Sequence, residues 1–550
     1  MAPISVKIKH AGKVHDVPLD PDLPPAAFKE AVYQRTGVPP ERMKVMLKGG
    51  VLKDDTDWRK VAPKEGQTFM VIGAAGELPK PPSTPTVFLE DMDDSELAQA
   101  LALPVGLVNL GNTCYMNATV QSMRAIPELQ AALDASAPPG LPTALRGLYS
   151  SMRSTTDAVT PAPFLNALRQ QFPQFGELAR EGSGAQKSLG GAMYAQQDAE
   201  ECWTQLTHAL KDVPGLPDSA NRKFVEQFMT GEITRVLKSD EAPEEQPSIT
   251  IERVLKIECN ITINTNYMHN GILNALDTTL TKTSPSLNRE AVYKSTSRLS
   301  RLPTYLTVHM VRFAWRQDIN KKTKIMRRVK FPLDYDGSDI ATDGLREKLL
   351  PLSRRLKELE KERAERRKVR KRTKTGQPAP RDGDVEMRDA DAGAPAEGGE
   401  APAQPEVELQ DEGVYRAKER EELEALVHPD LKADIGCSVH GLYELIAIVT
   451  HKGAAADAGH YMAYVKKRAF HPVSYISATS GAGEAGAAAP STTTVTSPEL
   501  KQDIDEDDED WYKFDDNKVS VFPVDKIPTL EGGGEDSSAY VLLYRARPLA

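Results

Sequence analysis

The pattern of apolar and polar positions predicts a small separate unit at the start of the chain. Ile4, Val6 and Ile8 alternate with polar residues, as in a half-buried strand. The spacing becomes helical around Phe28 and returns to strand character at 68–72. The order predicted from these segments is strand, strand, helix, strand, strand.

A second helical pattern begins directly after Cys114. Met116, Val120 and Met123 recur at i, i+4 and i+7, and Pro127 limits the helix. Cys114 is therefore predicted at a helix N-terminus, where free N–H groups and the macrodipole favour an anion and lower the pKa of a thiol. The alternative is a small buried residue with no chemical role.

Strand patterns dominate later in the chain, at 302–313, 443–450 and 539–544. Earlier segments are helical, including one in which Cys202 falls on an apolar face and is better explained by packing than by chemistry. Helices followed by strands predict an α+β domain.

Two segments interrupt this domain, at about 361–411 and 474–510, and their composition predicts disorder. The run at 366–372 is strongly basic and is interpreted as a nuclear localisation signal, a docking patch or a solvated helix face. The second insertion ends in the acidic run 503–510, which is expected to stay solvated.

Before the first insertion, leucines recur at alternating spacings of four and three, which is typical of a coiled-coil seam. These leucines are Leu345, Leu349, Leu352, Leu356 and Leu359. Pro351 is expected to kink this helix or to mark its start. Leu423 and Leu426 suggest an antiparallel partner helix.

Composition narrows the class of protein. The chain has 550 residues, a net charge of −10 and four cysteines without a C-x-x-C pair. The charge argues against nucleic acid as the main partner, and the cysteines argue against a zinc ribbon and for a reducing compartment. The sequence has neither a signal core nor a run long enough to span a bilayer, so no membrane partner is expected. We expect the protein in the cytoplasm and nucleus.

A cysteine nucleophile needs a base, and the base needs a group that orients it. His460 starts an alternating strand after Gly459, and two candidate acids, Asp515 and Asp516, lie beyond the acidic run. The order Cys, His, Asp is workable because such sites are defined in space and not along the chain.

Four motifs together resemble the ubiquitin-specific protease family, whose fold is papain-like. They are Asn-Leu-Gly-Asn-Thr-Cys-Tyr-Met-Asn at 109–117, Gln-Gln-Asp-Ala-Glu-Glu at 196–201, Gly-His-Tyr at 459–461 and Phe-Asp-Asp-Asn at 514–517. The resemblance covers most of 104–545 outside the insertions. It implies a thiol-dependent deubiquitinase.

The resemblance also implies roles for individual residues. Cys114 corresponds to the nucleophile, His460 to the general base and Asp515 to the acid that orients it. Asn109 corresponds to the oxyanion donor, with Asp516 as a helper beside it.

Further residues are assigned in the same way. Asp198 corresponds to the position that holds the arginine-containing tail of ubiquitin, which charge-assisted pairing explains. The four zinc cysteines found in many relatives are missing, so neither a metal nor another cofactor is expected. Asn112 is interpreted as a turn residue and His309 as a structural histidine.

The N-terminal unit resembles the ubiquitin fold, and Met46 and Ile72 correspond to its apolar recognition patch or are simply core. The predicted organisation is a ubiquitin-like β-grasp domain at 1–75, a linker at 76–103 and the protease domain at 104–550.

This order of domains is similar to the proteasome-associated branch of the family. It implies ubiquitin, polyubiquitin conjugates and the 26S proteasome regulatory particle as partners. The alternative is a ubiquitin-binding proteasome regulator that acts non-catalytically. We define the channel loops as 314–327 and 452–458. In the free enzyme these loops are expected to cover the channel that binds the C-terminal tail of ubiquitin, so that proteasomes activate the enzyme.

Overall fold

The computed structural model describes residues 3–47, 50–54, 56–73, 93–95, 98, 103–178, 194–216, 221–317, 320–375, 410–454, 459–470 and 508–549. The chain forms two compact units, Met1–Asp91 and Met92–Ala550. The division falls within the segment 76–103. No helix in the described ranges is both long and apolar enough to cross a bilayer.

The first unit is a five-stranded sheet with a helix across one face. Its elements are β1 (Ile4–His10), β2 (Lys13–Leu19), α1 (Pro25–Thr36), β3 (Lys44–Leu47), β4 (Gly50–Val51), α2 (Trp58–Val61) and β5 (Thr68–Ile72). The strand order is β2-β1-β5-β3-β4, with β1 and β5 parallel. This is the β-grasp arrangement predicted from the sequence.

Alternation along the strands places the core of this unit. Val6, Ile8 and Phe69 are fully or almost fully buried, and Phe28 of α1 meets Trp58 edge-on at 5.6 Å between ring centroids. Gly37 ends α1 with φ of 70°, a conformation that glycine adopts without strain.

The outer face of the same sheet carries an apolar strip. Met46 is 37% exposed, Met70 52% and Ile72 54%, and Met46 pairs directly with Met70 across β3 and β5. The interpretation of Met46 and Ile72 as core residues is therefore wrong. Their role in recognition stays a prediction.

The second unit contains helices first and strands later, as the sequence predicts. Its elements are α3 (Cys114–Met123), α4 (Pro127–Ala135), α5 (Leu141–Arg153), α6 (Ala162–Gln171), α7 (Ala199–Ala209), α8 (Phe224–Phe228), β6 (Gly231–Ser239), β7 (Ser248–Val254), β8 (Ile257–Asn260), α9 (Met268–Leu276), β9 (Asp277–Ser284), β10 (Arg289–Arg301), β11 (Tyr305–Val311), β12 (Phe313–Arg316), β13 (Lys321–Lys324), β14 (Asp334–Asp336), α10 (Asp343–Thr375), α11 (Glu412–Leu426), α12 (Pro429–Ala433), β15 (Leu442–Lys452), β16 (His460–Lys466), α13 (Lys467–Phe470), β17 (Trp511–Asp515), β18 (Lys518–Phe522) and β19 (Ser538–Ala546).

These strands form three sheets. The main sheet has the order β18-β17-β16-β15-β19-β11-β8, with β14 paired to β15. A second sheet has the order β7-β6-β10-β9, and we call it the fingers. Strands β12 and β13 form a separate hairpin. Helix α3 packs against β16 of the main sheet, and all ten of its residues are buried. The predicted helix after Cys114 is confirmed.

The basic segment belongs to a helical hairpin. Helix α10 runs from Asp343 to Thr375, so residues 361–375 are helical and the prediction of disorder there is wrong. The packed leucines of the seam end at Leu359, and Arg363 and Arg366 continue the helix pairing beyond them through Glu419. Pro351 lies inside α10, so the helix does not begin there. Residues 376–409 lie outside the described ranges.

Helix α11 returns antiparallel to α10, as predicted. Leu356 and Leu359 are buried with Leu423 of α11. Arg363, itself buried, donates to the buried Glu419 at 2.7 Å. Partnered charges of this kind explain how a charged sequence folds as a helix pair. Of the second insertion, 474–507 lie outside the described ranges.

Candidate active site

Cys114, His460 and Asp515 come from three elements that meet at one end of the main sheet. Cys114 begins α3, His460 begins β16 and Asp515 ends β17. The thiol of Cys114 lies beside the imidazole of His460 and favours its charged form. Nε2 of His460 lies 2.6 Å from Oδ1 of Asp515, which leaves Nδ1 for the thiol. The structure therefore brings together three of the predicted site residues.

The electrostatics of the three groups favour a charged histidine. The neighbouring thiol of Cys114 has the largest effect and, with the attraction to Asp515, raises the pKa of His460 to about 9 against the opposing effect of burial. Partial burial acts to raise the pKa of Asp515, but the bond to His460 and the nearby Lys513 hold it below its ordinary value. An imidazolium beside the sulfur stabilises a thiolate, the nucleophilic form.

The turn after β17 is fixed to the segment before Cys114. Leu107 donates its backbone N–H to the carbonyl oxygen of Asp516 at 2.9 Å. A Cβ at Gly106 would lie 2.5 Å from the carbonyl of Asn517, so only glycine permits this approach. Asp516 itself has φ of 51°. The acid and the nucleophile are thus held in register although they are remote in sequence.

Asn109 is oriented by its own loop. Its Oδ1 accepts from the backbone N–H groups of Gly111 at 2.9 Å and Thr113 at 3.2 Å. Its Nδ2 donates to Oδ2 of Asp516 at 2.8 Å. An amide nitrogen carries two hydrogens, so this bond fixes the donor while the group can still donate to an oxyanion. The structure places Asp516 beside Asn109, where the sequence predicted a helper.

Asn117 is a site residue that the sequence analysis did not single out. From the first turns of α3, its Nδ2 donates to Oδ1 of Asp516 at 2.8 Å and to the carbonyl of Leu107 at 3.3 Å. It belongs to the cysteine motif, but its spacing from Cys114 is equally typical of a buried helix residue. Only the structure distinguishes the two.

Asp198 lies at the N-terminus of α7. Its side chain accepts from the backbone N–H of Glu200 at 2.9 Å, as an N-cap does. The hydroxyl of Tyr540 lies 2.8 Å from one of its carboxylate oxygens and 2.7 Å from the other. Tyr540 was missed because the run 539–544 predicts only a buried strand.

A second histidine lies on the strand next to His460. His451 of β15 is fully buried, and its ring lies 4.7 Å from that of Tyr461 and 5.2 Å from that of Phe313, measured between centroids. Within the described part of the chain, neither ring nitrogen has a hydrogen-bond partner. A Cβ at Gly459 would lie 2.5 Å from its Nε2, so this glycine is needed for the contact with His451.

Lys324 of β13 joins the two channel loops. Its backbone N–H donates to Ala454 at 3.1 Å. Its Nζ donates to the carbonyls of His451 at 2.7 Å and Asp536 at 3.4 Å. Burial lowers the pKa of this ammonium to about 8. Residues 455–458 lie outside the described ranges.

His460, Asp515 and Asp516 are close enough to hold a metal ion, with ligand atoms within 4.8 Å of one another. All three side chains already make the hydrogen bonds described above. A triad explains this cluster without a metal. The absence of metals and cofactors stays a prediction.

The carboxylate of Glu245 holds the tip of the fingers together by hydrogen bonds. Glu245, from the loop between β6 and β7, accepts hydrogen bonds from Ser284, Ser286 and Tyr293 at 2.5–3.0 Å. These bonds lower the pKa of Glu245 to about 2. They join the two hairpins of this sheet.

The other three thiols are unreactive because burial keeps them protonated. Burial raises the pKa of Cys202, Cys259 and Cys437 to about 12 in each case. Cys202 is fully buried in α7, as the packing interpretation predicts. His309 has buried ring nitrogens without a partner in the described ranges and lies edge-on to Tyr540 at 5.2 Å.

Comparisons with known proteins agree with this geometry. The family described as Ubiquitin carboxyl-terminal hydrolase matches residues 105–544, and the ubiquitin family matches residues 4–75. Ubiquitin carboxyl-terminal hydrolase 6 of Schizosaccharomyces pombe is 37% identical over the full length of both chains. The Arabidopsis thaliana protein of the same name is 35% identical over 99% of each chain. Ubiquitin carboxyl-terminal hydrolase 14 of Caenorhabditis elegans is 28% identical over 98% of this chain and 93% of its own.

The family match spans most of the chain, and it includes every element that carries Cys114, His460 and Asp515. The chain belongs to the ubiquitin carboxyl-terminal hydrolase family and is a cysteine-type deubiquitinase with an N-terminal ubiquitin-like domain.

Proposed function

We propose that this deubiquitinase hydrolyses the isopeptide bond after the C-terminal glycine of ubiquitin and trims ubiquitin from substrates at the proteasome. One observation carries the chemistry. The thiol of Cys114 contacts an imidazole whose other nitrogen lies 2.6 Å from Asp515.

The proposed reaction has two halves. The thiolate of Cys114 attacks the carbonyl carbon of the last glycine, and Asn109 with the backbone N–H of Cys114 stabilises the oxyanion. The imidazolium of His460 gives its proton to the leaving lysine amine, and a thioester remains. His460 then accepts a proton from water, the resulting hydroxide attacks the thioester, and the thiolate leaves.

Asp515 and Asp516 support this cycle from different sides. Asp515 orients the ring of His460 and stabilises the positive charge of the imidazolium. Asp516 holds the amide of Asn109 by a 2.8 Å hydrogen bond. Asp198 is proposed to bind an arginine of the ubiquitin tail, because a carboxylate held as a helix N-cap offers a negative charge in a fixed position to a guanidinium.

The N-terminal domain is proposed to dock on the regulatory particle of the proteasome. The exposed strip of Met46, Met70 and Ile72 supplies an apolar surface of the kind that recognition needs. The 37%-identical and 28%-identical relatives align with almost the whole chain, this domain included. We place the protein in the cytoplasm and nucleus.

The channel loops are proposed to restrain the free enzyme. Lys324 ties β13 both to Ala454 of the second loop and to His451 beneath it. Docking on proteasomes is expected to release these contacts and to raise turnover. Equal turnover with and without proteasomes would contradict this part of the proposal.

The test uses ubiquitin with a C-terminal fluorophore. We expect wild type to hydrolyse it, Cys114→Ala to be inactive and Cys437→Ala to be unaffected, with proteasomes increasing the rate of the wild type. Hydrolysis by Cys114→Ala would exclude Cys114 as the nucleophile. A ubiquitin probe with a thiol-reactive C-terminus separates the non-catalytic alternative, which predicts binding without an adduct.

A further inference from the structure

The hydroxyl of Tyr540 contacts both oxygens of Asp198, at 2.8 and 2.7 Å. With the backbone N–H of Glu200 on the same carboxylate, the side chain is held from two directions. We propose that Tyr540 is a positioning residue that sets the affinity of Asp198 for an arginine of the ubiquitin tail. This inference rests on the proposed role of Asp198.

Tyr540 itself has almost no freedom to move. It is 2% exposed in β19, a strand paired on both sides. Its ring meets His309 at 5.2 Å, Phe313 at 5.4 Å and Tyr461 at 6.1 Å between centroids. The hydroxyl is therefore a fixed donor, and the carboxylate adapts to it.

Burial and the nearby Asp198 raise the pKa of Tyr540, so the phenol keeps its proton and remains a donor. A carboxylate has about four lone-pair positions. A guanidinium can pair with such a carboxylate through charge-assisted hydrogen bonds, provided that the carboxylate plane is correctly oriented.

Orientation matters because a guanidinium binds a carboxylate best through two parallel hydrogen bonds. A carboxylate that rotates must lose that freedom when the arginine binds, and affinity falls. Asp198 does not touch the scissile bond in the proposed mechanism. Loss of the Tyr540 hydroxyl should therefore act on substrate binding and leave the chemical step unchanged.

The neighbours of Tyr540 connect it to the rest of the site without giving it a chemical task. Tyr461 follows His460 directly in β16, and Phe313 begins the hairpin of the first channel loop. This cluster of aromatic rings therefore contacts β16, which carries the general base His460, the β12–β13 hairpin and Asp198. Tyr540 is the member whose polar atom reaches the carboxylate.

The experiment compares Tyr540→Phe with Tyr544→Phe in the full-length enzyme. Tyr544 lies in the same strand, is fully buried and donates to the carbonyl of Pro332 at 2.7 Å, so its variant also loses one buried hydrogen bond. Two reporters are used, ubiquitin with its natural tail and ubiquitin whose tail arginines are alanine. Initial rates over a range of reporter concentrations give kcat and KM, and hence kcat/KM, for each.

We expect Tyr540→Phe to raise KM for the natural tail about ten-fold with kcat within about two-fold, the size typical of a lost hydrogen bond to a charged group. It should leave kcat/KM for the alanine tail unchanged, and Tyr544→Phe should change neither reporter. In the Asp198→Asn background, Tyr540→Phe should have no additional effect.

Three results would overturn the inference while leaving the role of Asp198 intact. They are equal losses on both reporters, a fall in kcat without a change in KM, and the same effect from Tyr544→Phe. A wild-type enzyme that cleaves neither reporter would instead contradict the proposed function. If Asp198→Asn cleaves both reporters with the kcat and KM of wild type, the proposed role of Asp198 is wrong. The inference about Tyr540 is then overturned with it.

Discussion

His460 and His451 lie on adjacent strands, nine positions apart, and have opposite chemistry. The pKa of His460 is raised to about 9, whereas burial, with Lys324 and His460 nearby, lowers the pKa of His451 to about 3. His460 meets a thiol and a carboxylate, and His451 meets aromatic rings and an ammonium. The same imidazole is thus a charged catalytic group or a neutral packing group according to its immediate neighbours.

The two histidines also act on stability with opposite sign. The contribution of His460 is present below its unfolded pKa of about 6.5 and is lost as the pH rises through about 9. His451 binds a proton in the unfolded chain but not in the folded one. Its effect therefore lowers stability as the pH falls from about 6.5 towards 3.

Replacing His460 tests the charged member of the pair and should have the largest effect. We expect His460→Gln to lower kcat by about a thousand-fold, since loss of a general acid–base group typically costs 10²–10⁴. Reporter hydrolysis measures this, and Tm near the wild-type value serves as the control. Activity within ten-fold of wild type would remove His460 from the mechanism.

Removing the charge of Asp515 should make His460 more like His451. In Asp515→Asn the amide oxygen still accepts a hydrogen bond, but the raised pKa of His460 loses part of its cause. We expect about ten-fold lower kcat and an alkaline limb of the pH–rate profile displaced by about one unit to lower pH. The full profile from pH 6 to 10 measures both. An unchanged limb would contradict the coupling.

His451→Leu should sharpen the comparison from the buried side. Leucine removes both ring nitrogens, which have no hydrogen-bond partner among the described residues, and the proton that the unfolded chain takes up. We expect the free energy of unfolding to fall less steeply below pH 6.5, by up to about 1.4 kcal/mol per pH unit. Denaturant unfolding at pH 5 and 7 measures the difference. Equal slopes for variant and wild type would contradict a neutral buried His451.

Lys324→Met should give the smallest change in activity of these variants. It removes the cation beside His451 while keeping the length of the side chain, and it breaks the bonds to His451 and Asp536. We expect a two- to five-fold rise in reporter hydrolysis without proteasomes, on the order of 0.5–1 kcal/mol. Lys322→Met in the same strand is the control. A rate that falls would show that the hairpin supports the active form.

Much of this arrangement follows from the sequence, because the decisive residues lie in local motifs. The helix after Cys114 follows from spacing alone, and the acids lie next to each other at the end of β17. Gly106, Asn117 and Tyr540 could not be predicted in the same way. Their importance comes from contacts with Asn517, Asp516 and Asp198, between 342 and 411 positions away along the chain, and local spacing contains no such information.

The basic helix shows a different limit of sequence reasoning. Composition favours disorder at 361–375, yet Arg363 and Arg366 find Glu419 on α11. Charge density predicts solvation only when no partner of opposite charge returns to meet it. The leucine spacing was the better guide, since it depends on packing and not on average polarity.

Strand β19 comes last along the described chain, yet it lies between β15 and β11 in the main sheet. A ribosome that makes this protein from its N-terminus must finish β19 before that sheet can close. Cys114 is made early, whereas Asp515, which orients His460, and Tyr540 are made late. A growing polypeptide therefore has its sulfur long before it has the acid and the closed sheet that complete the site.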